Sequence, residues 1–155
     1  MKLGIMIDSL GASQLACTAI SEINKANSFK DFYVDINVFF HKNDKMLLPS
    51  RFAIFQEQQA WGFDGPVFAT ELSNAKTLLN CPCPTKKFFY VWDLEWIYNM
   101  FYYEVLAEIY LNPNLHLVAR NQYHFNFIKN CWKEPVAIIE DFNHEKIIKL
   151  AKSTS

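Results

Sequence analysis

Short apolar runs closed by a polar residue alternate along this chain with stretches whose apolar side chains recur every three or four positions. That alternation limits the fold more than any other feature of the sequence. Residues 3–8 (LGIMID) are apolar until the terminal acid, the pattern of a strand covered on both faces. Leu15, Ala16, Ala19, Ile20 and Ile23 then fall at helical spacing, with Gly11 and Ser13 as turn and N-cap. Tyr33 to Phe40 reads as a second strand with Asp35 and Asn37 on its wetter side, Phe52 to Phe55 as a third and Val67 to Ala69 as a fourth. A helix over 71–79 is stopped by Cys81-Pro82-Cys83-Pro84. Lys87 to Asp93 (KFFYVWD) is the clearest strand, and Tyr98 to Tyr110 is helix-like. After the Asn112-Pro113-Asn114 turn come a strand at 115–119, a helix capped by Asn121, a last strand at 136–139, and a helix capped by Asn143 with Phe142 stapled onto Ile147. The order implies one α/β domain, a Rossmann-like three-layer sandwich with a mostly parallel sheet over residues 1–152 and a tail at 153–155.

Composition narrows the function classes. Fifteen Lys+Arg against sixteen Asp+Glu leave a net charge of −1, which gives no general attraction to a phosphate backbone. The four glycines (Gly4, Gly11, Gly62, Gly65) do not form a glycine-rich phosphate loop. No apolar stretch is long enough to span a bilayer, and the first apolar run is too short for a signal peptide, so a cytoplasmic location is expected. Cys17, Cys81, Cys83 and Cys131 are then thiols, and the spacing of Cys81-Pro82-Cys83 does not suit a zinc knuckle; neither a metal nor a cofactor is expected. Fourteen Phe, seven Tyr and four Trp are more aromatic surface than a core of this size readily hides, which points to some of it at an interface.

Parallel sheets bind ligands beyond the carboxyl ends of their strands. Those ends hold Asp8, Ser9, Gly11, Ser13, His41, Gln56, Asp93, Glu95, Arg120, Asn121 and His124. Loop solvation and capping account for Ser9, Gln56 and Asn121. Asp93 stands out because it closes a strand of large aromatics, with Trp92 and Trp96 nearby; partial desolvation would make it a better general base. On spacing alone it serves equally well as a cap. Asp8 and Asp93 could pair as acids, but without a third acid and a nearby lysine they do not make a phosphoacceptor site. Arg120 and His124 lie one helical turn apart and could offer a cation and a proton donor to an anion, a spacing that exposed helix ends also show without function. His116 suits a core or edge position, and His41 and His144 the surface. The tract from Trp96 to Tyr103 is a candidate partner surface.

The order of elements resembles the N-terminal half of a GT-B glycosyltransferase, closest in pattern to the phage DNA β-glucosyltransferases. The resemblance is carried by KLGIMID at the start, AISEINK in the first helix, KKFFYVWDLEW at 86–96, and the strand–helix–strand unit running from Leu115 to Ile147. In that family a strand of aromatic and aliphatic residues ends in the aspartate that deprotonates the acceptor hydroxyl, and Asp93 occupies the matching position. The resemblance implies inverting transfer by direct displacement with Asp93 as base; Ser13, Arg120, His124, Asp8 and Trp96 are the candidate substrate-binding residues read from the sequence itself. It covers only the acceptor half, so either a second domain or partner chain brings the nucleotide-sugar, or the chain is a degenerate relative that only binds, or the domain has acquired another role; nucleic acid enters only as an acceptor. Two other functions remain open on the sequence: a non-catalytic assembly protein that joins a larger complex or a homo-oligomer through its aromatic surface, and a small nucleotide-binding enzyme of the doubly wound class.

Overall fold

The computed structural model describes residues 1–28, 34–98 and 102–153. The alternation produces β1 (Lys2–Ser9), α1 (Gln14–Ser28), β2 (Asp35–Lys42), β3 (Ala53–Gln56), β4 (Val67–Ala69), α2 (Leu72–Asn80), β5 (Lys87–Val91), α3 (Tyr103–Tyr110), β6 (Leu115–Ala119), α4 (Gln122–Cys131), β7 (Ala137–Ile138) and α5 (His144–Ser153). Short 3-10 turns at Glu57–Gly62, Glu95–Ile97 and Glu140–Phe142 interrupt the connections. All seven strands lie in one parallel sheet in the order β3-β2-β1-β4-β5-β6-β7. The chain winds outward from β1 through β2 to β3, then returns to the other side of β1 and winds through β4 to β7. This is the Rossmann-like arrangement expected from the sequence.

Both faces of the sheet are covered, which explains why its strands are apolar runs without polar alternation. Leu3, Ile5, Ile7, Val38, Phe68, Phe88, Tyr90 and Val118 pack with α1 and α5 on one face. Met6, Phe39, Val67, Ala69, Phe89, Val91, Leu117 and Ala119 pack with α2, α3 and α4 on the other. Strand period puts Phe88 and Tyr90 on the first face, Phe89 and Val91 on the second. Phe68 stacks on Phe88 across the β4–β5 ladder with centroids 4.4 Å apart. Gly4 is needed where β1 meets β4: a Cβ there would lie 2.8 Å from Val67 Cγ2 and 3.0 Å from a Phe63 ring carbon.

The expected helix starts are made by the expected side chains. Ser13 Oγ accepts from the Ala16 amide (3.0 Å), Asn121 Oδ1 from His124 (2.8 Å) and Asn143 Oδ1 from Lys146 (3.0 Å). Phe142 and Ile147 are both fully buried in the α1/α5 cluster.

Several expectations need correction. The strand expected to reach Asp93 ends at Val91, so Trp92 and Asp93 belong to the following loop. The helix expected from Tyr98 begins at Tyr103; Tyr98 lies in a turn, and 99–101, like Tyr33, lie outside the described residues. Asn37 is buried rather than on a wet side. Ser153, expected in the tail, is in α5 with its Oγ donating to the Leu150 carbonyl, while 154–155 lie outside the described residues. His144, expected at the surface, is buried, and its Nδ1 lies 2.8 Å from Glu22 Oε2, joining α5 to α1. Among the described residues no helix is long and apolar enough to cross a membrane.

Candidate functional site

In a sheet of this order the chain leaves β1 and β4 in opposite directions, opening a crevice at their carboxyl ends. A crevice of about 390 Å³ lies there, lined by Asp8, Ser13, Gln14, Leu15, Thr70, Glu71, Ser73, Trp92, Asp93 and Glu95. Its two sides are tied together. Thr70 Oγ1 donates to the Met6 carbonyl (2.9 Å), and the Asp8 amide donates to Glu71 Oε2 (2.6 Å). Asn74, itself buried, donates to the same Glu71 oxygen at 3.1 Å.

The chemistry of the crevice is acidic. Burial pushes the Glu71 and Glu95 carboxyls above the ordinary carboxylate range; the charges of Asp8 and Asp93 act in the same direction, and their hydrogen bonds oppose it. Glu95 Oε1 accepts from the Leu72 amide (3.0 Å), so a carboxylate already occupies the N-terminus of α2. Asp8 is engaged at its other side by Lys42, whose Nζ is 2.7 Å from Oδ2.

The indole of Trp92 forms an apolar wall and is 5% exposed. The Arg120 guanidinium lies over that ring, 3.8 Å from its centroid. Arg120 therefore acts on the crevice through Trp92. Its charge reaches His124, one helical turn on, but it lines neither this crevice nor the next, where the one-turn spacing predicts the two together.

His124 borders a second crevice of about 450 Å³ with Asp93, Leu94, Glu95, Ile97, Tyr98 and Tyr123. Burial, the largest influence, holds its pKa below the ordinary histidine value, and its Nδ1 is buried without a hydrogen-bond partner among the described residues. Asp93 sits exposed where the two crevices meet. The desolvation expected of Asp93 falls instead on Glu71 and Glu95.

Trp96 is not at the rim. The 3-10 turn at 95–97 carries it inward, buried edge-on to Tyr110 (4.8 Å) and Trp132 (6.1 Å). Ser9 is used by the loop itself: its hydroxyl donates to Asp44 and accepts from the Gly11 amide. Ser13 lines the crevice while capping α1, and its hydroxyl hydrogen remains available to a ligand. The residue that sequence reasoning missed is Glu71. It follows a strand of three residues, β4, and the strand-end rule applied there would have found it.

Glu71 makes a prediction about stability. Below its unfolded pKa the carboxyl is protonated in both states, and its burial carries no ionic cost. As pH rises, the unfolded chain ionises before the folded one, so this contribution to stability is lost through the raised folded pKa. Glu71→Gln keeps an acceptor for the Asp8 amide and removes the charge. It is expected to raise Tm at pH 7 relative to the parent, with the gain vanishing below about pH 4. Glu71→Ala leaves the Asp8 amide without its partner and is expected to destabilise by about 1–3 kcal/mol. Thermal melts across pH measure both.

No family model, curated protein or solved structure matches the chain.

Proposed function

We propose that this domain is the acceptor side of a sugar-transfer reaction. The observation that carries the reading is a crevice at the β1/β4 switch point walled by the Trp92 indole and by Asp8, Glu71, Asp93 and Glu95. Carboxylates accept strong hydrogen bonds from hydroxyl groups, and the accessible edge of the buried indole gives the crevice an apolar boundary for a sugar ring. Small-ligand sites commonly combine an apolar wall with a few convergent polar groups in a volume of about 300–1,000 Å³.

In this reading the acceptor hydroxyl lies beside Asp93. Its oxygen bonds to the anomeric carbon of a nucleotide-sugar as the bond from that carbon to the diphosphate breaks, and its proton passes to the Asp93 carboxylate. Configuration at that carbon inverts. The donor is held by a second domain or a partner chain that covers the strand ends. Ser13 holds a second acceptor hydroxyl, and Arg120 positions the Trp92 wall. The resemblance of KKFFYVWDLEW to the strand and aspartate of GT-B enzymes supports the same assignment, with Asp93 here two residues beyond the strand end at Val91.

The test is chemical-shift mapping of the full chain with neutral methyl glycosides. The Trp92 indole, Ser13 and Glu71 amides are expected to shift together. No shift with any glycoside, or shifts confined to another face, would remove the reading.

A second reading has its own observation: Tyr98, Tyr102 and Tyr103 are 85%, 65% and 64% exposed. Such rings suit a protein partner or a second copy of the chain. A stable oligomer in size-exclusion chromatography with light scattering would favour assembly over a lone acceptor domain.

A further inference from the structure

The two crevices adjoin at Asp93 and Glu95, which border both. Beyond that shared edge the character changes from carboxylates to rings. Tyr98, Tyr123 and Ile97 are all exposed there, Tyr123 by 64%. Tyr123 is braced from behind by Phe127, with centroids 5.6 Å apart, so its ring is held rather than trailing in solvent. His124 also borders this crevice, its ring Nδ1 buried.

Charge decides what chain can lie there. The described lining of the two crevices contains Asp8, Glu71, Asp93 and Glu95 and no lysine or arginine. Two cations touch this lining without being part of it, and both are already engaged, Lys42 by Asp8 and Arg120 over Trp92. A phosphodiester backbone would meet carboxylates along this path and no counter-charge to replace its cations. A protein partner would account for the tyrosines but not for their continuity with a carboxylate-lined crevice.

We infer that the acceptor is a neutral oligosaccharide, not a nucleic acid: its reactive residue sits in the Trp92 crevice at Asp93, and the following residues run through the second crevice between Tyr98 and Tyr123. This rests on the sugar-transfer reading and adds to it the length and charge class of the acceptor. It also sets the chain apart from the DNA acceptor that its sequence resemblance would suggest.

The experiment is calorimetric titration of the full chain with a size series of neutral oligosaccharides, from mono- to hexasaccharide, and with a short DNA duplex. Affinity is expected to rise about five- to tenfold once the ligand is long enough to reach the tyrosines, the worth of one or two ring contacts. Tyr98→Ala and Tyr123→Ala are each expected to erase that gain while monosaccharide affinity stays at the parent value. Both positions are exposed, so the variants fold. A flat length series, a gain that survives both substitutions, or tighter binding of the duplex would overturn the inference and leave the sugar-transfer reading standing. So would self-association that depends on these two rings without any length effect. Failure of every saccharide to bind would remove the reading itself, and the inference with it.

Discussion

Asp93→Asn is expected to lower sugar transfer by about 10²–10⁴-fold, the usual worth of a positioned general base. The substitution preserves the shape of the side chain and its place at the meeting of the two crevices, but an amide cannot take the acceptor's proton. The loss should therefore fall on kcat, with the KM for acceptor close to the parent value, because in the proposed reading the acceptor is bound by the Trp92, Glu71 and Glu95 walls of the crevice. The measurement is initial-rate transfer from a labelled nucleotide-sugar in the presence of the donor domain.

The other acids of the crevice are less suited to the task. Glu71 Oε2 already accepts from the Asp8 amide and Asn74, and Glu95 Oε1 from the Leu72 amide. Asp93 has no hydrogen-bond partner among the described residues and is the exposed member of the set. A carboxylate free to turn toward an incoming hydroxyl is the one that can change its protonation without disturbing a helix end. In the proposed reading its exposure also gives a donor half a role, since covering the rim would exclude water from the reacting centre. Full transfer by the Asp93→Asn variant, or a loss confined to KM, would move the base to another residue.

What the sequence revealed of this molecule follows a physical divide between local and distant causes. The β5 run from Lys87 announces a doubly covered strand because large apolar residues occur without polar alternation. The caps at Ser13, Asn121 and Asn143 could be named because each bond reaches only three residues along the chain. Glu71 escaped because the three residues of β4 carry too little pattern to mark where the strand ends. Trp96 was put on the wrong side of the surface because aromatic density does not say which ring turns inward; a single 3-10 turn decides it. His144 pairs with Glu22 across 122 positions, and no local pattern encodes that contact. The crevice itself is a product of topology, so its neighbourhood was foreseen while the identity of its buried carboxylates was not.

The largest expected effect on stability belongs to Tyr90, which the sequence presents only as one more ring in β5. Its side chain is fully buried on the α1/α5 face, and its hydroxyl donates to the Ile139 carbonyl at 2.6 Å and accepts from the Phe142 amide at 3.2 Å. Burial pushes the phenol up to about 12, so it stays a neutral donor. Between those two contacts the chain makes the turn from β7 into α5 with Asp141 at φ 49° and Phe142 at φ 55°. Left-handed backbone at non-glycine residues costs about 1–3 kcal/mol each and persists only where its surroundings hold it. Here the hold is the Tyr90 hydroxyl together with the Phe142 ring, edge-on to Tyr90 at 5.0 Å and fully buried. Tyr90→Phe keeps the ring and the packing but leaves a buried amide and a buried carbonyl unpaired. The expected loss is about 2–4 kcal/mol, which in a domain of this size lowers Tm by on the order of 10 °C. Because the substitution keeps the ring that neighbours Trp92, with centroids 6.3 Å apart, saccharide affinity below the melting range should be unchanged, the converse of Asp93→Asn, which should leave Tm near the parent value. Denaturant titration beside calorimetric binding separates the two. A Tyr90→Phe protein as stable as the parent would mean that burial of Phe142 alone holds the left-handed turn.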